Sequence, residues 1–440
     1  MTELMSHSLQ STEGQRTRDR RCRRRAVAPG SPRPSRLLAA WFAPGLAMLT
    51  AAAAAGIARA AGGPEWLHWL SLHLALLGGV SQLILGAAQF FVCAALATDP
   101  PPRRMLRAQL ASWNGGTALV AVGVPTSMAA LTDAGAAFVV IGLALFATAL
   151  RWMQRRSLQR APWAARWYLA CATCLAIGAL VGAMMARGTV WTHGSLLGAH
   201  LALNLGGWLG MAIVGTLHTF FPSITQTRLR HQRLQQPTFW LWLAGVAALA
   251  AGAAFGSDAG VACGWALLLA SAACLGVNLV ASLRAADTPL TLSARLISLA
   301  QAFLAAGLVL ALVTTLREDL YAAFVGQARG ALAALLLAGW VGLTVAGALL
   351  HLLAVLARVR HFTVAMPQPR PLRDGVLSLA AAVAVAGYAL SHAGGLGAAS
   401  DPFRILLVGV TAALAAQVLR LAARALLPAG YRSRSTTTGA

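Results

Sequence analysis

The chain is divided into long apolar runs by short polar connections, and its arginines occur almost entirely in alternate connections. A helix that crosses a bilayer needs about 20 consecutive apolar residues. Twelve runs fit this requirement; they begin near Leu37, Trp66, Leu110, Ala134, Trp163, His193, Thr238, Ala259, Ser293, Ala328, Gly375 and Phe403. With the connections assigned to alternating sides, 30 arginines share a side with both termini and five lie opposite. Because cytoplasmic loops carry the excess of basic residues, the pattern predicts twelve transmembrane helices with both termini cytoplasmic.

Composition excludes a soluble protein. Hydrophobic residues make up 58% of the 440 residues and charged residues only 11%, whereas soluble domains carry about 25% charged residues. The net charge of +23 does not indicate nucleic-acid binding, because the arginines lie in connections and tails and form no binding face. The absence of lysine and the excess of alanine and glycine are typical of a G+C-rich bacterial genome. We therefore expect an all-α polytopic protein of the bacterial cytoplasmic membrane, with the lipid bilayer as its partner.

Three regions follow from the distribution of polar residues. Residues 1–36 contain nine arginines and few apolar residues, so we expect a disordered cytoplasmic arm. Residues 37–427 form the predicted twelve-helix membrane domain, and residues 428–440 form a cytoplasmic tail. The first apolar run is longer than the apolar core of a signal peptide, so we take it as the first span, although alanine-rich sites near its end resemble a cleavage signal.

The second, sixth and tenth runs are similar to one another. They read LALLGGVSQLILGAAQFF, LALNLGGWLGMAIVGTLHTFF and LAALLLAGWVGLTVAGALLHLL. Shifting one run onto the next superimposes two glycines of each: Gly78 and Gly86, Gly207 and Gly215, Gly339 and Gly347. Each shift spans four helices, which predicts three pseudo-repeats of four helices. The alternative is chance similarity among helices rich in alanine, leucine and glycine.

Polar residues inside the predicted spans concentrate on one face of the sixth helix. Steps of three, four or seven residues place on that face His193, His200, Asn204, Gly207, Met211, Gly215 and His218. Such a face favours the bundle interior over lipid, because its polar groups need partners. The second helix repeats the pattern more weakly through His68, Ser71, Gly78, Gln82, Gly86, Gln89 and Cys93, with His73 on the opposite face. On the tenth helix, His351 stands at the cytoplasmic edge.

The constant rise of a helix, about 1.5 Å per residue, gives the depth of each histidine. Measured from the centres of their helices, His73 and His200 share a level toward the outer side, and His218 and His351 lie near the inner boundary. At the outer interface lie His68 and His193. Neutral imidazole is the commonest nitrogen ligand of haem iron or copper, and the alternative is an imidazole hydrogen-bonded within the bundle as a structural element. We expect four further histidines to be solvated in loops or tails: His7, His231, His361 and His392.

These features resemble the haem–copper oxidase subunit I superfamily, and more closely NnrS-like proteins and the membrane regions ahead of actinobacterial multicopper oxidase or copper nitrite reductase modules. The resemblance rests on HLALLGGVSQLILGAAQFF from His73, HLALNLGGWLGMAIVGTLHTFFP from His200 and GWVGLTVAGALLHLLAVL from Gly339. It implies twelve spans arranged as three four-helix arcs, with haem-ligating histidines on the second and tenth. The chain departs from the oxidases because residues 329–336 and 238–255 contain no histidine. We therefore expect no oxygen-reducing binuclear centre, and only His73 with His200 or His218 matches ligand positions.

The sequence thus predicts a haem b site, or a copper site, between the second, sixth and tenth helices. His73 and His200 are the predicted ligands, and His218 and His351 are a second candidate site. The residues expected to orient these imidazoles are Gln82, Gln89 and Asn204, and the weaker metal candidates are His68 and His193. The expected role is electron transfer, or an accessory role in nitric oxide or nitrite chemistry, with a soluble copper or cytochrome redox partner; whether the chain is itself an enzyme stays open.

Two alternatives belong to other functional classes. One is a small-molecule permease or exporter without a cofactor, although all twelve carboxylates lie outside the predicted spans or at their edges, which counts against a carboxylate proton relay. The other is a membrane non-haem iron oxygenase acting on a lipid-soluble substrate such as a carotenoid. The spread of the histidines over two levels and the missing carboxylates count against that enzyme.

Overall fold

A computed structural model describes residues 31–159, 162–361, 366–395 and 401–427. The described chain is helical and contains no strand. Twelve long helices, here named α1 to α12, are Pro34–Ala60, Trp66–Leu96, Arg103–Gly123, Ala129–Arg156, Pro162–Ala186, Leu196–Ile224, Gln235–Ala254, Asp258–Arg284, Leu292–Arg317, Ala328–Arg360, Pro371–Ala393 and Asp401–Leu426. The tail, and the arm up to residue 30, lie outside the described residues. Helix α1 begins at Pro34, within the region predicted as arm, because proline suits the first turn of a helix.

Eleven of these helices are long and apolar enough to cross a membrane, which makes the chain a multi-pass membrane protein. The exception within the described chain is α3, which begins at Arg103 instead of near Leu110. Its first turns carry Arg104 and Arg107 as well, and these arginines lower the hydropathy of the helix. The other helices begin within a few residues of the predicted positions.

Hydroxyl side chains define the start of several helices. Ser195, Ser257 and Thr291 each accept a hydrogen bond from the backbone N–H three residues further on. This contact satisfies one of the N–H groups that the first turn of a helix leaves without a carbonyl partner. These three caps determine where α6, α8 and α9 begin.

The second, sixth and tenth helices share an irregularity of the backbone. Each contains a π-helical segment: Leu74–Val80 in α2, Ala202–Gly210 in α6 and Ala334–Gly342 in α10. Their starts are separated by nearly the same spacings as the glycines that the sequence repeat superimposes. Because π segments are rare and cluster at functional sites, three of them at matching positions mark these helices as equivalent.

Glycines hold the first two helices of each predicted unit close together. In α2, α6 and α10, a Cβ at Gly86, Gly215 or Gly347 would overlap a side chain of the preceding helix. The side chains concerned are Trp41 of α1, Trp167 of α5 and Ile297 of α9. This close contact between a glycine and the preceding helix, here called a glycine seam, therefore recurs three times, at residues that the sequence repeat also matches.

The contacts between the other helices also follow the order of the predicted units. The last two helices of each unit pack on each other, as α3 with α4, α7 with α8 and α11 with α12. Neighbouring units meet where α4 contacts α5, α8 contacts α9, and both α10 and α12 contact α1. Helices α2, α6 and α10 are the most buried of the eleven apolar spans. These three helices therefore form the centre of the described bundle.

Candidate haem or metal centre

Two histidines from different helices meet in the half of the bundle that is predicted to face outward. The ring centroids of His73 in α2 and His200 in α6 lie 6.5 Å apart, and their planes are inclined by 33°. His73 immediately precedes the π segment of α2, and His200 lies just before that of α6. The two imidazoles, which the sequence predicts to lie at the same depth, are therefore in contact.

Both imidazoles are held in the same tautomer by backbone carbonyls. The Nδ1 of His73 donates to the carbonyl of Trp69 over 2.9 Å, and the Nδ1 of His200 donates to that of Gly178 over 3.0 Å. A carbonyl only accepts, so in the neutral ring the hydrogen is on Nδ1 and Nε2 keeps its lone pair. Neither Nε2 has a hydrogen bond within the described chain. Metal-binding histidines are oriented in the same manner, by a bond from the second ring nitrogen.

Two glycines of α5 make room for the polar face of α6. A Cβ at Gly182 would lie 3.0 Å from Cε1 of His200, and one at Gly178 would lie 2.5 Å from Oδ1 of Asn204. The amide of Asn204 donates to the backbone carbonyl of His200 over 2.7 Å, so it supports the histidine through the main chain. The sequence analysis missed these glycines, although their G-x-x-x-G spacing indicates close helix packing.

Most of the polar face of α6 is turned toward α5. In order along the two helices, the contacts pair His200 with Gly182, Asn204 with Gly178, Gly207 with Cys174, Gly215 with Trp167, and His218 with Trp167. For these residues the predicted direction, into the bundle, is confirmed, whereas His193 precedes α6 and is exposed. Its main neighbour is the preceding helix of the same unit, and His200 also meets His73 of α2.

The paired histidines line a cavity of about 510 Å³, a size that suits a cofactor or a drug-sized ligand. Its walls come from α2, α3, α4, α5 and α6, and α10 contributes only Leu337. The cavity therefore lies to one side of the predicted position between α2, α6 and α10. Most of the lining is aliphatic; the polar and sulfur-containing exceptions include Ser81, Thr132, Met185 and Asn204.

A hydrogen bond between two helices closes the inner end of this cavity. The indole N–H of Trp208 in α6 donates to the hydroxyl of Ser81 in α2 over 2.7 Å, and that hydroxyl donates to the carbonyl of Leu76 over 2.6 Å. Ser81 and Trp208 are almost fully buried. Because both partners are satisfied, this pair forms a stable floor beneath the histidines.

An ion pair lies beside the opposite end of the cavity. Asp133 accepts hydrogen bonds from Arg187, with 2.9 Å between Nε and Oδ1, and the bond raises the pKa of the guanidinium above its usual value. The adjacent residues Thr132 and Ala186 line the cavity. The ion pair therefore joins α4 to the end of α5 beside the cavity.

The second predicted pair of histidines is arranged differently. His218 donates from Nδ1 to the carbonyl of Val214 over 2.9 Å and stacks on Trp167, with 6.0 Å between the ring centroids. Its Nε2 is buried without a partner. His351 meets the ring of Phe220 edge-on at 5.5 Å. Within the described residues the two imidazoles make no ring contact with each other.

The remaining predicted residues lie away from the cavity. His68 and His193 are exposed. Gln82 and Gln89 are completely buried, and the Nε2 of Gln89 donates to the carbonyl of Leu85 over 3.0 Å. Neither glutamine hydrogen-bonds an imidazole in the described part of the chain, and both oxygen atoms lack a partner there.

The expectation that His392 is solvated is wrong. Helix α11 continues to Ala393, so His392 lies in its last turn, with its ring 4.4 Å from that of Tyr388. A Cβ at Gly330 of α10 would lie 2.7 Å from its Nδ1, and its Nε2 is buried. The histidine therefore packs between two helices. His7 lies outside the described residues.

Among the described residues, no group of three or more histidine, cysteine or carboxylate side chains is arranged to hold a metal ion. The cavity thus offers two imidazoles, and any metal there needs additional ligands from elsewhere. No known family model matches the sequence, and no curated protein matches it.

Proposed function

We propose that the protein binds haem b between His73 and His200 and serves in electron transfer, or as an accessory factor in nitric oxide or nitrite chemistry. The observation that carries the proposal is the pair of imidazoles with free Nε2 atoms and ring centroids 6.5 Å apart. These two imidazoles would hold the haem iron through their Nε2 atoms.

The number of ligands favours haem over a bare ion. Structural zinc sites take four protein ligands, whereas a porphyrin supplies four nitrogens itself and needs the protein only for the axial positions. The aliphatic walls of the 510 Å³ cavity favour an apolar macrocycle. Bound there, haem b would supply one-electron redox chemistry. Copper(I) is the alternative to haem, because Met185 lines the same cavity and its soft thioether suits copper(I).

The membrane topology belongs to the same proposal. We infer twelve spans in three pseudo-repeats, with α3 as the third crossing and both termini in the cytoplasm. The three π segments and the three glycine seams support the repeats, and the 30-to-5 division of arginines supports the orientation. The cavity then lies in the outer half, where a soluble copper or cytochrome partner reaches its rim beside Asp133 and Arg187.

The test is an optical spectrum with metal analysis of the purified protein from haem-sufficient cells. We expect a Soret band and one iron per chain, and loss of both in His73→Ala and in His200→Ala. His193→Ala is the matched control, because this exposed histidine lies near the start of the same helix. Added imidazole should restore the spectrum of His200→Ala by occupying the vacated space.

Stoichiometric copper without a Soret band would replace haem by copper in this proposal. A wild-type protein without iron or copper would refute it, and substrate flux in vesicles would then support a permease. Bound haem that persists in both histidine variants would place the ligands elsewhere.

A further inference from the structure

A second, smaller cavity lies among α2, α6 and α10, where the three units meet. It has a volume of about 90 Å³. Its lining includes residues from each of these helices at positions that match under the sequence repeat. One matched set contains only small side chains: Ala87, Thr216 and Ala348. Because all three helices place a small residue at this level, space is left at the centre of the bundle.

Larger side chains line the cavity one turn away from this level in each direction. On the side of the histidine pair stand Ile84, Ile213 and Val345, which also match under the repeat. On the other side stand Phe91 and Phe220, whose rings pack with centroids 5.4 Å apart. This space, here named the central chamber, is therefore lined by bulky apolar residues above and below its small side chains.

The hydroxyl groups at the wall have their own partners. The hydroxyls of Tyr168 and Thr216 share a hydrogen bond of 2.7 Å, and Thr216 also donates to the carbonyl of Ala212 over 2.6 Å. The hydroxyl of Thr344 accepts from the amide of Gln301 over 3.4 Å. A buried water needs two to four polar partners, and apolar cavities without them stay dry and take up apolar ligands such as xenon. This wall offers water no such set.

We propose that this central chamber binds a neutral, apolar molecule of gas size, of the class of dioxygen or nitric oxide. Its volume is about three times the share of one water in the liquid, which admits a few heavy atoms and excludes a porphyrin. No described residue lines both this chamber and the histidine cavity, so the two are separate spaces. The inference does not depend on haem at the histidine pair.

The test is crystallography of the full-length protein under xenon pressure, with anomalous scattering to locate the gas. We expect a xenon site among Ala87, Thr216 and Ala348 in the wild type. Ala87→Leu and Ala348→Leu, which fill the chamber from two different units, should each abolish it. Ala53→Leu is the control, because Ala53 is exposed on α1, and this variant should keep the site.

Ordered water in the wild-type chamber, or no xenon there under pressure, would overturn the inference. A xenon peak that survives in both filling variants would do the same. The two leucine variants come from separate units, so failure of one to fold leaves the other as a test. Haem content is measured separately in each variant, and we expect Ala87→Leu to keep the spectrum of the wild type.

Discussion

At the scale of single residues, the chemistry depends on hydrogen bonds that each histidine makes with the main chain. His73, His200 and His218 all donate from Nδ1 to a carbonyl. Only His73 and His200 then share a cavity, whereas His218 packs its ring against Trp167. The tautomer is therefore common to the three, and the shared cavity distinguishes His73 and His200 from His218.

Substitution of a glycine that cradles His200 tests this geometry. In Gly182→Val the new Cβ would lie 3.0 Å from Cε1 of His200, so the ring must shift from the position in which it meets His73. We expect the bound haem or metal to dissociate about tenfold faster, which corresponds to about 1.4 kcal/mol. The measurement is the rate of cofactor transfer to an apoglobin or a metal chelator.

Gly115→Val is the matched control, because a Cβ at Gly115 meets no atom within 4 Å. It should leave the transfer rate unchanged. Equal rates in Gly182→Val and the wild type would show that the position of the His200 ring does not determine cofactor retention.

At the scale of the helix, the π segments determine the direction in which the side chains of the outer turns point. In a regular α-helix each residue turns by about 100°, so His73 would lie roughly 140° away from Gly78. This periodicity is why the sequence analysis set His73 on the opposite face. The i→i+5 bonding of the π segment Leu74–Val80 widens the turn and lowers the angle per residue. The same residue then faces His200.

Deletion of one residue from this segment should reverse the effect. Removing Ala75 lets α2 return to α-helical bonding and turns His73 by about 100° relative to the inner half of the helix. We expect a folded protein without the Soret band. The measurement combines the spectrum with a thermal unfolding curve, which reports whether the bundle remains intact.

Deletion of Leu336 is the matched control, because it shortens the π segment of α10, which contributes only Leu337 to the cavity. This variant should keep the cofactor. If the Ala75 deletion also keeps it while remaining folded, the orientation of His73 does not come from the π segment.

At the scale of the whole molecule, the topology depends on α3. The eleven other long helices of the described chain meet the apolar criterion for a span, and α3 does not because arginines occupy its first turns. If α3 lay outside the bilayer, every connection after it would change sides. The proposed arginine asymmetry would then be lost.

Fusions of alkaline phosphatase, which is active only outside the cytoplasm, test this point. A fusion after Ser127, between α3 and α4, should be active, and one after Gln159, beyond α4, should be inactive. A fluorescent protein at the C-terminus, which folds in the cytoplasm, should fluoresce. The opposite activities at Ser127 and Gln159 would remove α3 from the membrane and reject twelve spans.

The sequence by itself determined the apolar helices, the matching glycines of α2, α6 and α10, and the shared depth of His73 and His200. These features depend on composition and on the constant rise of a helix, which are local properties. For the same reason the sequence indicated that the polar face of α6 turns inward.

Only the tertiary structure decided which helices meet that face. Rotation about a helix axis and close approach depend on residues distant in sequence, such as Gly178 and Gly182 of α5 against His200 of α6. A 3.6-residue period also cannot register a π segment, so the direction of His73 followed only from the folded backbone. The central chamber likewise exists because three small side chains from separate units converge on one level, a coincidence that no single helix encodes.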